Sequence, residues 1–282
     1  MTTIIGCDFT SRPTRVKPIT VSVASYDALT NDSALRVSAV HSVDSLEKFE
    51  DFLSLDSSNL SKPWVGGFDL PFGLPRELVE HLNWPNTWLA CMKYYCSLER
   101  SQIREVFQAF CASRAVGSKF AHRATDLIAK SSPSMKWINP PVAYMLHAGM
   151  PVLINAKVSL PGLLRGDPSK VGLEAYPGKL AKEIVGNQSY KSDDKRKQNL
   201  DRLHVREKIL NVLVAGKHSL GIKLKIPKSM IEKLLEDASG DNLDAVLCAV
   251  QAAWGVRQYH LGDPLYGMPS QMDELEGWIL TC

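Results

Sequence analysis

The sequence predicts a mixed α/β protein with one central sheet, and three observations carry this prediction. Three runs rich in apolar and β-branched residues lie near the N-terminus, at 4–10, 19–26 and 34–41, separated by polar turns. Strand and helix patterns alternate after them, as in sheets with parallel strands. The strongly apolar stretch at about 241–258 predicts a buried final helix.

The elements up to Asp69 follow the order strand, strand, strand, helix, strand. The first three runs predict an antiparallel meander. Residues 44–47, Asp-Ser-Leu-Glu, then open a short helix with four apolar side chains on one face: Leu46, Phe49, Phe52 and Leu53. The fourth strand is predicted at 63–69.

Residues 75–170 have a different character, with turns rich in Pro and Trp, a helical stretch at about 88–110 and an irregular region after it. We interpret them as a helical insertion within a single domain that spans 1–282. Beyond the insertion a fifth strand fits 171–176, and helices are predicted to about 185, at about 194–215, from about 228 and at about 241–258.

In this order of elements, strands one and four would lie side by side and parallel. Ligands of such sheets bind in the crevice beyond the C-terminal ends of the strands. Asp8 and Asp69 occupy the C-terminal ends of these two strands. Three antiparallel strands followed by two parallel ones, with helices on both faces, are the architecture of the ribonuclease H-like fold, which is the fold class that we predict.

The composition is that of an ordinary globular protein, with 45% hydrophobic and 22% charged residues. No apolar run reaches about 18 residues, which excludes a transmembrane helix. The N-terminal residues lack the features of a signal peptide, and the six cysteines lack the paired spacing of zinc sites. We therefore expect a cytoplasmic protein with reduced thiols and no membrane partner.

The net charge of +3 says little, but its distribution along the chain is uneven. The segment 179–228 holds thirteen Lys or Arg residues against five Asp or Glu, whereas 231–282 holds nine acids and two bases. A basic flank beside an acidic metal site suits a polyanionic substrate such as nucleic acid. Two solvated faces of opposite sign are the alternative.

Four aspartates form the candidate metal site. Asp8 and Asp69 end buried strands, and Asp241 and Asp244 lie one helical turn apart at the start of the final helix. Carboxylates brought together by folding repel one another unless cations lie between them, and hard cations such as Mg²⁺ prefer oxygen ligands. The pattern predicts that these acids bind Mg²⁺ or Mn²⁺ and are catalytic in phosphodiester chemistry.

Each of these acids also has a structural alternative. Neighbouring polar side chains could satisfy Asp8, and Asp69 could be an ordinary turn residue. Asp241 and Asp244 resemble a capping box, and acids at a helix start favour the helix dipole. The order of all four along the chain favours the functional interpretation, with Asp244 the stronger candidate of the last pair.

Further candidates are one more acid and two groups of bases. Glu174, in the predicted fifth strand, is a candidate catalytic residue whose role stays open between metal ligand, general base and partner of an arginine. Bases after the first and fifth strands are candidates for contact with substrate phosphates, with simple solvation as their alternative: Arg12, Arg15, Lys17, Lys191, Lys195 and Arg196.

The chain also resembles a bacterial domain-of-unknown-function family described as predicted nucleases of the ribonuclease H-like fold. The matching stretches span nearly the whole chain, at 5–13, 64–75, 139–142, 173–178, 189–194 and 237–254. The acid pattern is similar to that of RuvC-type resolvases, in which one acid ends the first strand, one ends the fourth and a pair lies on the last helix. Asp8, Asp69, Asp241 and Asp244 match those places in order.

These observations predict a metal-dependent nuclease that cleaves DNA or RNA by a two-metal mechanism, with Asp8 bridging two ions about 4 Å apart. The resemblance to resolvases implies a homodimer. Two alternatives stay open. One is an ATP-dependent phosphotransferase of the actin and sugar-kinase type, although the residues after Asp8 lack the glycine of a phosphate loop. The other is a non-catalytic nucleic-acid-binding module.

Overall fold

The central sheet has seven strands among the residues that the computed structural model describes, which are 1–30, 33–54, 60 and 63–282. In chain order the strands are β1 (Thr2–Asp8), β2 (Ile19–Tyr26), β3 (Ala34–Val43), β4 (Trp64–Asp69), β5 (Val158–Ser159), β6 (Asp167–Glu174) and β7 (Lys223–Lys225). Across the sheet they lie in the order β5-β6-β4-β1-β2-β3-β7.

Strands β1, β2 and β3 form the antiparallel meander that the sequence predicts. β1 pairs with β4 and β4 with β6 in parallel, which confirms that strands one and four are parallel neighbours. The short strands β5 and β7 extend the two edges of the sheet, each parallel to its neighbour. Neither strand was predicted, because strands of two and three residues are too short to show an alternating pattern.

The helices of the described residues lie before, between and after the parallel strands. They are α1 (Leu46–Leu53), α2 (Arg76–His81), α3 (Trp88–Ser97), α4 (Arg100–Ala112), α5 (Ala124–Ala129), α6 (Val142–Asn155), α7 (Pro177–Val185), α8 (Leu200–Ala215), α9 (Lys228–Glu236) and α10 (Asp241–His260). A short 3-10 turn, Lys195–Lys197, precedes α8.

Three predicted boundaries differ from the structure. The helical stretch at 88–110 is two helices, α3 and α4, because a new helix start forms at Glu99, whose backbone N–H donates to the Gln102 side chain. The basic helix begins at Leu200 instead of about 194, because the Asn199 side chain caps it. The fifth strand is β6, which ends at Glu174 instead of Tyr176.

Two apolar clusters cover the two faces of the sheet. Side chains alternate between faces along a strand, and in β1 Ile5 and Cys7 belong to one cluster whereas Ile4 belongs to the other. The first cluster includes side chains of α1–α4 and α6, and the second includes side chains of α7–α10. Helices therefore cover both faces.

Glycines in the central strands let α10 pack closely against the sheet. A Cβ atom at Gly6 would lie 1.9 Å from the Ala245 carbonyl oxygen, and one at Gly67 would lie 2.4 Å from the Cys248 carbonyl oxygen. The buried Ser22 hydroxyl donates to the same Ala245 carbonyl at 2.8 Å. This packing holds the first turns of α10 against β1 and β4.

Among the described ranges, none of the helices combines the length and the apolar character that a membrane span requires.

Candidate functional site

Asp8 and Asp69 are direct neighbours across the parallel pair β1 and β4, where their Cα atoms are register partners. The alternation of side chains decides where they point. Asp8 shares its side of β1 with Ile4 and Gly6, and Asp69 shares its side of β4 with Gly67, so both carboxylates lie on the face that α10 covers. The structure therefore brings together the two acids that the sequence placed at strand ends.

Asp241 and Asp244 lie in the first turn of α10. Neither side chain caps the helix, whose N-cap is Gly240 in the left-handed conformation with φ 80°. Asp237 instead accepts hydrogen bonds from the backbone N–H groups of Ser239 and Asn242. The capping-box alternative for the pair is therefore wrong, because Asp237, which precedes the helix, accepts the hydrogen bonds from backbone N–H groups at the helix start. Asp244 is fully buried, and Asp241 is half-buried.

Burial and neighbouring carboxylates raise the pKa values of Asp8, Asp69 and Asp241. Burial, and then the charges of Asp244 and Asp69, raise the pKa of Asp8 well above its usual value. Burial, followed by the charge of Asp244, raises the pKa of Asp69 to about 7. Burial and the nearby Asp237 also raise the pKa of Asp241. A site that disfavours its own negative charges is one that a bound cation would stabilise.

A lysine lies among these carboxylates. The Lys191 ammonium forms an ion pair with the buried Asp244 carboxylate, which also accepts a hydrogen bond from the Tyr190 hydroxyl. Burial opposes the charged form of Lys191, but Asp244 and other negative neighbours, including Asp8, raise its pKa well above the usual value. The ammonium is thus the internal counter-charge of the cluster.

This ammonium affects how the acids could hold a metal. Within the described parts of the chain, no three His, Cys, Asp or Glu side chains are arranged as the ligands of one metal ion. The donor set is nevertheless chemically suited to Mg²⁺ or Mn²⁺, since it consists of carboxylate oxygens. A divalent ion bound to the Asp244 carboxylate would compete with the Lys191 ammonium for it.

Glu174 does not join the four aspartates. Gly172, two residues before it on β6, faces Phe68 and the first apolar cluster, so Glu174 points to the face opposite α10. There its carboxylate accepts hydrogen bonds from both terminal nitrogens of the buried Arg123, at 2.6 and 2.8 Å, and from the backbone N–H of Phe72 at 2.9 Å. Of the three roles left open for Glu174, partner of an arginine is the one that these contacts show.

The predicted phosphate-binding bases are dispersed and mostly paired. Lys17 lies 3.0 Å from Asp193, Arg15 lies 3.8 Å from Asp44, and Arg196 is held by Asp194. Arg12 and Lys195 are exposed. Of the six bases, the two that line the cleft beside the aspartates are Lys17 and Lys191.

That cleft has a volume of about 550 Å³ and is lined by Asp8, Asp69 and Asp241. The loop at 139–141 and the segment at 191–193 also line it. The contact of Tyr190 and Lys191 with Asp244 was not predicted, because residues more than fifty positions apart form no local sequence pattern. Arg123 was not predicted either, since it lies in a region interpreted as irregular.

Comparison with models of protein families, with curated proteins and with solved structures finds no match to this chain. The resemblance described from the sequence therefore stays a prediction. The site itself therefore has to indicate the function. It consists of four aspartates, the Lys191 ammonium and the adjoining cleft.

Proposed function

We propose that this protein is a metal-dependent nuclease with a ribonuclease H-like fold. One observation carries the proposal: folding brings four aspartates, remote in sequence, to the ends of two parallel strands and the start of one helix, where burial and neighbouring carboxylates raise the pKa values of Asp8, Asp69 and Asp241. Clustered acids destabilise a fold, so such a cluster is a candidate functional site, and a bound divalent cation would relieve the repulsion.

In this proposal Asp8, Asp69 and Asp244 would hold two Mg²⁺ or Mn²⁺ ions, and Asp241 would contribute from the rim of the cleft. One ion would activate water and the other would stabilise the leaving oxygen. Lys17 lies on the same cleft and would contact the phosphate backbone, so binding should weaken as salt increases. Lys191, once released from Asp244, would supply a second positive charge for the phosphate.

The test is calorimetric titration with Mn²⁺ of the wild type and the double variant Asp8→Asn, Asp244→Asn. We expect saturable binding to the wild type and none to the variant. Asp51 and Asp201 are exposed and outside the cleft, so Asp51→Asn, Asp201→Asn is the matched control and should bind as the wild type does. Circular dichroism establishes that each variant is folded.

Cleavage is measured next, on single-stranded and duplex DNA and RNA. Asp8→Asn alone should lower the rate by about 100-fold or more, the scale on which removal of one charge-stabilising group acts. An unchanged rate in a folded Asp8→Asn variant would refute the mechanism.

The ion pair between Lys191 and Asp244 favours a second candidate, a non-catalytic nucleic-acid-binding module. An internal ammonium neutralises the buried carboxylate without any metal, as a scaffold would require. Binding of an oligonucleotide that is independent of Mn²⁺ and survives the double substitution Asp8→Asn, Asp244→Asn would support this candidate over the nuclease.

A further inference from the structure

A second, smaller cavity adjoins the aspartate cleft. Its volume is about 190 Å³, and it shares Asp69, Pro140 and Met145 with the cleft. Asp69 therefore lies where the two spaces meet. A ligand that reaches the carboxylates from the cleft can extend directly into this cavity.

The two spaces differ in chemistry. The cleft carries charged and hydroxyl groups, including Lys17, Thr10 and Ser11. The cavity wall is mostly apolar, formed by Leu70, Pro71, Val142, Met145, Ala175 and the ring of Tyr176. Its polar or charged lining residues are Asp69, Ser131, Ser132, Tyr176 and the buried pair of Arg123 and Glu174.

The size of the cavity restricts its occupant. Pockets for drug-sized ligands begin at about 300 Å³, so this one admits a single planar ring system and excludes a whole nucleotide or a base pair. A nucleobase has apolar faces and polar edges, which match apolar walls with a few hydroxyl groups. Its phosphate would then lie on the charged side of Asp69.

We propose that this cavity binds one unpaired nucleobase of a nucleic-acid strand whose phosphate lies in the cleft. The proposal rests on the proposed function and specifies its substrate: a strand with at least one unstacked base, in preference to an intact duplex. Enzymes that do chemistry on a base extrude it from the duplex into a fitted pocket, and the energetic cost of unstacking is smallest where the base is already unpaired.

The test compares two small probes, a nucleoside 5′-monophosphate and ribose 5-phosphate, by calorimetry with and without Mn²⁺. Both probes carry the same phosphate, so their difference reports on the base. We expect the nucleotide to bind about tenfold more tightly, the scale of stacking one base in a protein site. Equal affinities in the wild type would overturn the proposal.

Substitutions that fill the cavity test the proposal from the protein side. Val142→Trp introduces a ring at a half-buried position of the cavity wall and should remove the tenfold preference while leaving Mn²⁺ and ribose 5-phosphate binding unchanged. Ser132→Tyr is a second variant with the same expected result. Leu127→Trp, on the exposed side of α5, is the control and should keep the preference.

These outcomes separate the two proposals. Saturable Mn²⁺ binding with equal affinity for the two probes would leave the nuclease standing and refute the base pocket. Absence of Mn²⁺ binding would refute the nuclease, and the probe comparison in metal-free buffer would still decide whether a base is bound. A bulged hairpin that binds no better than a fully paired hairpin would overturn the preference for unpaired strands.

Discussion

The repulsion within the aspartate cluster should make the protein less stable as the pH rises, and Asp69→Asn should relieve this loss. The pKa of Asp69 is raised from 3.8 to about 7, first by burial and then by Asp244. Because folded Asp69 holds a proton that the unfolded chain releases, its contribution to stability is most favourable below pH 3.8 and becomes less favourable until the pH passes about 7. Above that pH the contribution of this group is constant.

The magnitude follows from the shift. Each pH unit between the two pKa values is worth about 1.4 kcal/mol. Ionised Asp69 therefore destabilises the folded state at pH 8 by about 4 kcal/mol, and about 3 kcal/mol of this loss occurs between pH 5 and pH 8. Asp8 lies directly beside Asp69, so the protonation of one carboxyl group affects the other, and these figures are upper values. An asparagine carries no charge and should therefore be the more stable side chain at pH 8, by up to about 4 kcal/mol.

Urea unfolding at pH 5 and pH 8, at fixed ionic strength and with a chelator, measures both effects. The wild type should lose stability between the two pH values, and Asp69→Asn should lose markedly less. Asp51→Asn, on the exposed face of α1, controls for the removal of a charge elsewhere. A wild type of constant stability, or an Asp69→Asn variant less stable than the wild type at pH 8, would refute the electrostatic argument.

Three further substitutions test the contacts around the site. Lys191→Met removes the ammonium from Asp244 and should lower the stability of the metal-free protein by about 1–2 kcal/mol. This loss is smaller than that for a fully buried ion pair, because the lysine side chain is 41% exposed. Added Mn²⁺ should raise its melting temperature more than that of the wild type, and an equal rise would contradict the competition between ion and ammonium. Arg123→Met leaves Glu174 buried without its cation and should cost about 3–5 kcal/mol in chemical unfolding, whereas a cost below about 1 kcal/mol would show that the pair is dispensable. Gly6→Ala pushes α10 away from the sheet and should weaken both stability and Mn²⁺ affinity, so unchanged Mn²⁺ affinity would separate the metal site from the packing of that helix.

Local sequence patterns were sufficient for much of the fold. Strands β1–β4 and helices α1, α7 and α10 lie where alternation, apolar periodicity and helix-start residues predicted them. The positions of Asp8, Asp69 and Asp241 at element ends could equally be predicted, since the residues next to an element end mark it. The edge strands β5 and β7 could not be predicted, because their pairing is set by the rest of the sheet.

What the sequence by itself determined is the set of acids and the elements that carry them. The tertiary structure decided which of these acids meet. Pleating turns Asp8 and Asp69 toward α10 and turns Glu174 toward Arg123 on the other face, and the register that fixes this choice depends on contacts between distant segments. The tertiary structure also placed the Lys191 ammonium beside the Asp244 carboxylate, because a buried charge is costly unless it is paired.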